Sequence, residues 1–364
     1  MLLKSIQILN YKNIVEQKLF FDKKINCFIG NNGAGKSNLL DSIYHLCLGK
    51  SYLNNNSIQN INFDKDFFML EGDFLLNKNE EKINCSFKKG KKKILKRNGK
   101  IYKKISDHIG FFPLIMISPY DRDLISEGSF LRRRFIDGII SQTNSSYLKN
   151  IIHYNKLILQ RNSLLKNFSN SNKFDYETLK IYNQQIESVG NPIHESRKKF
   201  LKNFVSLFKI QYKLLSHSNE KVSIEYKSQL NGSDYSSLFE AHLENDRYTN
   251  YTNCGIHKDD LIFKIHGESI KKFGSQGQQK TFIIALKLAQ FNFMTKNNKF
   301  NPIILFDDIF DKLDQIKVEL IMSLIENKKF GQVFITDTHY ERTSSAIKKT
   351  KSTSKIFELP FDEK

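Results

Sequence analysis

Apolar and polar residues alternate in short runs over the first thirty positions, a pattern that predicts β-strands. Leu2–Leu9 ends at a polar turn, and Lys18–Phe21 continues it as a hairpin. Ile25–Ile29 is a short apolar run that ends at Gly30. A glycine-rich loop follows, and apolar residues at helical spacing begin at Leu39. The chain therefore opens with strands, a loop and a helix.

Residues 67–105 predict a β-meander. Phe67–Gly72 and Lys82–Phe87 are strand candidates, and Asn98-Gly99 is a preferred dipeptide of tight hairpin turns. Five lysines at the base of this hairpin are candidates for contacts with DNA: Lys88, Lys89, Lys91, Lys92 and Lys93. Such a run is also typical of a solvated sheet edge that prevents unwanted strand pairing. The sequence leaves both interpretations open.

Residues 130–215 change character, because helical periodicity dominates and glycine nearly disappears. Asn191-Pro192 predicts the start of a helix, with asparagine as the N-cap and proline at the first helical position. Apolar residues such as Phe200 and Phe204 then share one face. We expect an α-helical arm domain over residues 116–252, too short and irregular for a long coiled coil.

Strand and helix patterns alternate in the last third of the chain. The predicted strands are Val222–Tyr226, Leu261–Ile265, Ile303–Phe306 and Val333–Thr336, and the clearest predicted helix is Gln276–Phe293. Short apolar strands that alternate with helices indicate a buried, largely parallel sheet. We therefore predict an α/β fold, in which residues 1–115 and 253–364 form one domain and the helical arm is inserted between them.

The net charge of the chain indicates which class of partner it could bind. Lys and Arg number 57 against 38 Asp and Glu, so the formal net charge is +19, and such a charge attracts DNA, RNA or an anionic membrane surface. An AT-rich genome also supplies lysine codons, so charge alone leaves the partner open. No run of about eighteen apolar residues predicts a membrane span. The N-terminal segment lacks the pattern of a signal peptide, and we expect a cytoplasmic protein with no membrane partner.

The segment 30–37 fits the P-loop pattern GxxxxGK[ST] throughout, between an apolar strand and a helix. Its glycines let the backbone approach phosphate oxygens, and the helix N-terminus adds aligned N–H groups. The predicted ATP site consists of Gly30, Asn31, Asn32, Gly33, Ala34, Gly35, Lys36 and Ser37. We expect Lys36 to bridge the β- and γ-phosphates and the Ser37 hydroxyl to bind Mg²⁺.

A second metal anchor is predicted where the apolar run Ile303–Phe306 ends in two carboxylates. Asp307 would hold Mg²⁺ through its water shell, as the corresponding aspartate of P-loop enzymes does. Asp308 would position the water that attacks ATP. The predicted catalytic residues are therefore Asp307, Asp308 and Lys36. Two acids at the end of a strand are, by themselves, more often solvated than bound to a metal. The P-loop upstream favours the interpretation as a metal site.

The segment 275–278 lies at the start of the predicted helix. Ser275 and Gln278 fit a capping box, which would explain both residues by helix stability alone. Gly277 does not fit that explanation, because glycine in a helix costs about 1 kcal/mol relative to alanine. Serine, glycine and a helix N-terminus together suit an anion. Because the P-loop already supplies phosphate contacts, we expect this segment to contact ATP in trans, from a partner subunit: Ser275, Gln276, Gly277 and Gln278.

The chain resembles the ATPase heads of ABC proteins. The resemblance lies in the order of three motifs: the P-loop, the Ser-x-Gly-Gln segment and the strand that ends in carboxylates. The chain is especially similar to the RecF family. Stretches that carry this resemblance run along nearly the whole chain: Gly33–Tyr44, Gly49–Tyr52, Ser118–Asp121, Arg132–Asp137, Gly255–Leu261, Ser275–Lys280 and Asp307–Asp314. The resemblance implies an ABC-type ATPase head, with a mixed sheet, a β-meander and an inserted helical arm. It implies ATP and Mg²⁺ as cofactors.

The resemblance also implies accessory roles for Asp121, Lys12 and His257. Asp121 would link the nucleotide to the arm, although an aspartate in a turn is the simpler interpretation. The basic triplet 132–134 would contact DNA or, alternatively, pair with acids of the arm. His339 follows the expected strand a few residues later than the switch histidine of ABC ATPases, and we interpret it as an exposed loop residue.

Departures from the family pattern bear on turnover. Lys258 and Lys280 stand where arginine is usual, and lysine lacks the bidentate geometry of arginine. Asp308 stands where many ABC ATPases have a glutamate and is one methylene shorter. Both differences predict weak ATP hydrolysis.

The resemblance implies an ATP-dependent DNA-binding protein of recombinational repair and replication-fork maintenance, linked to the SOS response. Two subunits would close on ATP and hold duplex DNA near single-stranded gaps, and slow, DNA-stimulated hydrolysis would release it. RecO and RecR would be its partners in loading recombinase. An SMC-like structural head would need long heptads, which residues 130–250 lack. A transporter ATPase subunit fits poorly with the basic charge and the β-meander.

Overall fold

The computed structural model describes residues 1–54, 56–216, 220–308, 318–319, 322–323, 330–348, 350 and 352–359. The chain divides into a first unit, Met1–Asp121 with Gln290–Lys364, and a second unit, Arg122–Ala289. Residues 253–289 thus group with the helices, whereas the sequence assigns them to the ATPase head. The predicted domain boundaries stay a prediction.

An antiparallel sheet begins the first unit. Its strands are β1 (Leu2–Tyr11), β2 (Ile14–Phe20), β4 (Phe67–Leu76), β5 (Asn79–Lys88), β6 (Ile94–Arg97) and β7 (Lys100–Ile101). They lie in the order β2-β1-β4-β5-β6-β7, and each neighbouring pair is antiparallel. Asn98 and Gly99 have φ of 50° and 79°, the two positive values of a type I′ turn. The predicted meander and its hairpin turn are confirmed.

A parallel sheet completes the first unit. Its strands are β3 (Ile25–Gly30), β8 (Leu114–Ile117), β12 (Ile303–Phe306), β13 (Val333–Asp337) and β14 (Ser354–Leu359). They lie in the order β14-β3-β13-β12-β8, all parallel. Because every strand runs the same way, their carboxyl ends meet at one edge. The P-loop follows β3 and the two aspartates follow β12 at that edge, so the predicted parallel sheet is confirmed.

Helix α1 (Lys36–Leu48) shares one hydrophobic core with both sheets of the first unit. Leu39 and Ile43 belong to a buried cluster that includes Ile6 of the antiparallel sheet and Leu305 of the parallel sheet. The helix ends at Gly49 in a left-handed conformation, where a Cβ would lie 2.5 Å from the side chain of Ile105.

The second unit is mainly helical. Its helices are α2 (Asp123–Ser126), α3 (Ser129–Thr143), α4 (Ser145–Ser171), α5 (Tyr176–Ser216), α6 (Tyr235–Ala241), α7 (Leu243–Thr249) and α8 (Ile270–Phe273). An antiparallel sheet joins β9 (Val222–Lys227), β10 (Asp260–Ile265) and β11 (Glu268–Ser269). α9 (Gln276–Asn297) begins in this unit and ends in the first, which also holds α10 (Tyr340–Lys348). None of the described helices has the length and apolar character needed to cross a membrane.

The predicted helix start at Asn191-Pro192 is wrong. α5 continues through Pro192, although an interior proline removes one backbone hydrogen bond. Ile186 lies before the proline and Ile193 and Phe200 lie after it, and all three are buried. One apolar face thus continues across the proline, and its packing outweighs the local signal for a helix start.

Two buried arginines hold the interior of the second unit together. Arg161 lies 2.7 Å from Asp246, and both side chains are fully buried. Arg197 lies 3.0 Å from Asp137 and 2.8 Å from Asp259. A buried charge is tolerated only when its partner is present, since each charge has lost its hydration.

We expect Arg161→Met to reduce the free energy of unfolding by about 3–5 kcal/mol, because Asp246 would stay buried without its counter-charge. Urea unfolding followed by circular dichroism measures this loss. The matched control is Arg247→Met, which removes an exposed arginine paired with Glu244 and should cost less than about 1 kcal/mol. Equal losses in the two variants would contradict the prediction.

Candidate nucleotide site

The P-loop is the turn between β3 and α1. Gly33 and Gly35 have φ of 86° and 95°, a left-handed conformation that glycine adopts without strain. Space is also limited at Gly35, where a Cβ would lie 2.8 Å from Nδ2 of Asn13. The shape of the loop therefore depends on Gly35, which the motif specifies, and on Gly33, which occupies a position that the motif leaves open.

Lys36 folds back over this loop. Its ammonium donates hydrogen bonds to the backbone oxygens of Gly30 at 2.6 Å and Asn31 at 2.9 Å. The side chain is largely buried at the N-terminus of α1, where the helix dipole also favours an anion. One positive charge is thus held in the concave backbone that the motif predicts as a phosphate site.

Asp307 and Ser37 lie side by side, although 270 residues separate them in the sequence. The Ser37 hydroxyl donates to Oδ1 of Asp307 at 2.8 Å, and the Thr336 hydroxyl donates to the same oxygen at 2.9 Å. Burial raises the pKa of Asp307, whereas the hydrogen bonds from Ser37 and Thr336 act to lower it. The hydroxyl and the carboxylate predicted to share one metal are therefore adjacent.

The donor set of this pair fits Mg²⁺, because hydroxyl and carboxylate oxygens are hard ligands. Within the part of the chain that the structure describes, no three His, Cys, Asp or Glu side chains cluster around a metal position. Mg²⁺ held here would therefore need nucleotide oxygens and water as further ligands, which is how this ion is usually bound.

Thr336 is a site residue that the sequence analysis missed. Besides contacting Asp307, its hydroxyl accepts a hydrogen bond from the backbone N–H of Asp308 at 2.9 Å. Asp308 has φ of 49°, which is uncommon for a residue other than glycine. The hydrogen bond from its backbone N–H to Thr336 supports this conformation. The only sequence signal was the position of Thr336 near the end of a parallel strand.

Residues 309–314, which follow Asp308 and belong to a stretch that carries the family resemblance, lie outside the described residues.

Four short hydrogen bonds, and a longer one of 3.4 Å from the backbone N–H of Leu53, surround the buried carboxylate of Asp41 on α1. It accepts hydrogen bonds from Tyr11 and Ser51 at 2.7 and 2.6 Å, from Lys12 at 2.6 Å, and from the backbone N–H of Tyr52 at 2.6 Å. Burial acts to raise the pKa of Asp41, but the Lys12 charge and the hydroxyl donors hold that pKa below its ordinary value. One charge thus joins the end of β1, α1 and the segment after α1.

The β1–β2 turn reaches the P-loop through Asn13. Oδ1 of Asn13 accepts a hydrogen bond from Asn38 at 2.8 Å, and its side chain is the one that limits space at Gly35. Lys12, predicted as an accessory residue, directs its ammonium to Asp41. The contact gives it a positioning role for α1; its accessory role toward the nucleotide stays a prediction.

Asp121 is buried and lies in a turn after β8. It accepts hydrogen bonds from Tyr52 at 3.0 Å and from the backbone N–H of Ser118 at 2.8 Å. These contacts agree with the interpretation of Asp121 as an aspartate in a turn. Its predicted link to the nucleotide is not tested by them.

The predicted capping box forms at the start of α9. The backbone N–H of Ser275 donates to Oε1 of Gln278 at 2.8 Å, and the N–H of Gln278 donates to Oγ of Ser275 at 3.2 Å. Gly277 is exposed, and a Cβ there would meet no atom closer than Oγ of Ser275 at 3.9 Å. The fold of the subunit therefore does not require glycine at this position.

The basic triplet 132–134 and His257 make contacts within the second unit. Arg132 forms a two-pronged ion pair with Asp260, at 2.7 and 3.0 Å, and Arg133 donates to the backbone oxygen of Asp259 at 2.6 Å. His257 contacts Tyr154, and burial lowers its pKa to about 4. For Arg132, the structure thus agrees with pairing to an acid, and His257 is neutral at pH 7.

The lysines proposed for DNA differ in their surroundings. Lys88, Lys91 and Lys92 are exposed, and Lys89 lies 3.5 Å from Asp66. Lys93 instead donates to the backbone oxygen of the residue that ends α1, at 2.6 Å. Lys93 therefore differs from the exposed lysines in that its ammonium is held by a backbone hydrogen bond. His339 is exposed, as expected from the sequence.

Comparison with known sequences gives one consistent result. A family model described as the RecF/RecN/SMC N terminal domain matches residues 2–358. A protein of Flavobacterium johnsoniae named DNA replication and repair protein RecF is 52% identical over 357 residues, which cover 98% of this chain and 99% of the relative. A protein of the same name from Phocaeicola vulgatus is 43% identical over 365 residues, covering 100% of this chain and 98% of the relative.

Solved structures agree with the sequence comparison. A structure described as the recombination mediator protein RecF-ATP in the RecFOR pathway is similar with a TM-score of 0.87 at 28% identity, covering 98% of this chain and 95% of that chain. An Smc head bound to the C-terminal winged-helix domain of ScpA has a TM-score of 0.58 at 14% identity, covering 98% and 94% of the two chains. The second similarity shows the fold alone. The predicted ABC-type ATPase head is confirmed.

We expect Asp41→Asn to reduce the free energy of unfolding at pH 7 by about 3 kcal/mol, because Lys12 would lose its buried counter-charge. The pKa of Asp41 lies below its ordinary value of 3.8. Its stabilising contribution is therefore present above that value and is lost as the pH falls through the pKa in the folded protein. The difference between wild type and Asp41→Asn should thus narrow in acid.

Denaturant unfolding at several pH values measures this difference. Asp64→Asn, at an exposed acid of the same unit, is the matched control and should change stability by less than about 0.5 kcal/mol. A difference between wild type and Asp41→Asn that stays constant into acid would show that the charge of Asp41 is not what stabilises the fold.

Proposed function

We propose that this chain, which belongs to the RecF family of DNA replication and repair proteins, is an ATP-dependent DNA-binding switch that acts as a homodimer. One observation carries the proposal: the N-terminus of α9 exposes Ser275 and Gly277, and the subunit itself does not need the glycine. A position kept open on the surface suits close approach by a partner subunit and its nucleotide. The P-loop with Asp307 supplies the other half of such a site.

ATP would occupy the P-loop of residues 30–37. Lys36 would exchange its two bonds to backbone oxygens for bonds to the β- and γ-phosphates. Ser37 and Asp307 would hold Mg²⁺, which neutralises phosphate charge when bound. The hydrogen bond between them supports this role, because it shows that both oxygens reach one point.

Hydrolysis would depend on Asp308. Its carboxylate would accept the hydrogen bond of the attacking water, and Thr336 would hold its backbone in place. Aspartate reaches less far than glutamate, which supports a weak ATPase rather than a fast one. Weak hydrolysis suits a switch, because the closed state must last long enough to hold DNA.

Dimer closure would bring Ser275 and Gly277 of one subunit to the ATP of the other. The helix N-terminus would then add its N–H groups and partial positive charge to the phosphates. Closure would present a basic surface to duplex DNA beside single-stranded gaps, and the charge of +19 supports a polyanionic ligand. Hydrolysis would reopen the dimer and release the DNA.

RecO and RecR are the proposed partners, and the loading of recombinase at gaps in the cytoplasm is the proposed cellular task. The support is the RecFOR pathway named for the similar RecF-ATP structure. Exposed Lys88, Lys91 and Lys92 are proposed DNA contacts in the first unit.

Sedimentation with Mg²⁺ and a slowly hydrolysed ATP analogue tests the switch. Wild type should dimerise only with nucleotide and should then hold duplex DNA. Ser275→Arg should bind nucleotide but stay monomeric, because the long cation would block the approach of the partner subunit. Ser233→Arg places the same side chain on an exposed serine of the same unit and should behave as wild type. Wild type that stays monomeric with bound nucleotide, or Ser275→Arg that dimerises equally well, would show that the segment is only a helix cap.

The hydrolytic role of Asp308 is tested separately. Asp308→Asn should lower phosphate release by about 100-fold, the lower range for loss of a general base, and should prolong the DNA-bound dimer. Asp308→Glu keeps the carboxylate and should keep hydrolysis. Nucleotide affinity, measured by titration, should stay within about twofold of the wild-type value in both variants, since neither change touches the P-loop. Asp308→Asn that hydrolyses ATP at the wild-type rate would remove Asp308 from the mechanism.

A further inference from the structure

A basic cleft opens beside the N-terminus of α9, between the last turns of α5 and the start of β9. Its volume is about 470 Å³, and the residues that matter for its chemistry are Lys209, Tyr212, Lys213, Glu220 and Lys221. All of them belong to the second unit. These residues lie outside the P-loop and the strand that ends in Asp307 and Asp308.

None of the three lysines of the cleft forms an ion pair with a carboxylate in the described part of the chain. All three are exposed, and among the described ion pairs none includes Lys209, Lys213 or Lys221, whereas nearby Lys198 and Lys264 do pair with glutamates. Lys209 and Lys213 are four residues apart on one helix face, and like charges at this spacing destabilise a helix by about 0.2–0.5 kcal/mol. An anion bound in the cleft would turn this repulsion into attraction.

The chemistry of the cleft favours a phosphate backbone over a small anion. Lysines are point charges on flexible stems, which contact phosphates without fixing a single geometry. Contacts of this kind position a protein on nucleic acid but do not read its sequence. Three such lysines line this one cleft, which favours a ligand with several phosphates over a ligand with a single charge.

Glu220 connects this cleft to the helix start predicted to contact ATP in trans. Its carboxylate accepts a hydrogen bond from Tyr212 at 2.6 Å and another from Nε2 of Gln278 at 2.7 Å. The other end of the same amide, Oε1 of Gln278, accepts the backbone N–H of Ser275. One glutamine side chain therefore joins the cleft to the N-cap of α9.

We propose that Lys209, Lys213 and Lys221 bind the phosphate backbone of DNA and that Glu220 transmits this binding to Ser275 through Gln278. The proposal rests on the proposed function and adds to it a DNA site and its route to the nucleotide. Phosphates held by the adjacent Lys221 shift the segment that carries Glu220 and change the geometry of its hydrogen bond with Gln278. Since coupling between two sites is reciprocal, DNA in the cleft alters nucleotide affinity by the factor by which nucleotide alters DNA affinity. Glu220 is a positioning residue.

The DNA site is tested with a triple variant, Lys209→Gln with Lys213→Gln and Lys221→Gln, against a control of equal charge change. The control, Lys149→Gln with Lys166→Gln and Lys180→Gln, alters exposed lysines on α4 and α5 outside the cleft. Duplex DNA binding with the ATP analogue is measured as a function of salt. Each lost phosphate contact lowers the slope of log K against log salt by about 0.9, so the cleft variant should lose about 2–3 units of slope and the control almost none.

Equal slopes in the two triple variants would overturn the DNA site. Nucleotide-dependent dimerisation without DNA is measured on the same proteins and should be unchanged in both. Failure of wild type to dimerise would overturn the proposed function instead, so the two failures are distinguishable.

The coupling is tested at Glu220. With wild type, DNA should change the affinity for the ATP analogue by about fivefold or more, the lower end of common coupling factors. Glu220→Ala should keep or increase DNA affinity, because an acid leaves the cleft, but should reduce that change to less than about twofold. Glu220→Gln retains a side-chain oxygen that can accept from Gln278 and should retain the coupling. The route through Glu220 would be overturned if DNA changed the nucleotide affinity of Glu220→Ala as much as that of wild type. It would also be overturned if Glu220→Ala and Glu220→Gln lost this effect of DNA equally.

Discussion

The hydrogen bond between Ser37 and Asp307 is the interaction on which the nucleotide site depends. It joins the first turn of α1 to the end of β12, across 270 residues of sequence. Only the parallel order β3-β13-β12 makes it possible, because the carboxyl ends of these strands share one edge. Thr336, at the end of β13 between them, completes the contact. The parallel sheet thus fixes the distance between the P-loop and the two carboxylates.

A single buried charge fixes the loop side of this arrangement. Asp41 draws Tyr11, Lys12 and Ser51 onto α1, and the adjacent Asn13 meets the P-loop at Gly35. The buried Asp41 carboxylate has lost its hydration, and these donors compensate for that loss. The position of α1, and with it the direction of its N-terminal N–H groups, is therefore set by charge as well as by the apolar core.

Local patterns predicted much of this structure, and long-range contacts account for what they missed. The P-loop, the hairpin at Asn98-Gly99 and the capping box of Ser275 each depend on a few adjacent residues, so sequence spacing was sufficient. Thr336 and Arg161 act through partners that are distant in the chain, and no local period marks them. Pro192 shows the opposite failure: a clear local signal yields to an apolar face that continues across it.

Lys36 is held by acceptors within its own loop. Its ammonium already has two acceptors, the backbone oxygens of Gly30 and Asn31, so entry of a phosphate replaces hydrogen bonds and does not create them from nothing. The acceptors change from neutral carbonyls to charged phosphates, and a hydrogen bond to a charged group contributes about 1.5–3 kcal/mol. When the phosphate departs, these two carbonyl oxygens can take its place, so the Lys36 ammonium keeps hydrogen-bond partners. In the proposed switch, the subunit would therefore reload readily, and the lifetime of the closed dimer, not the escape of spent nucleotide, would set the length of the cycle.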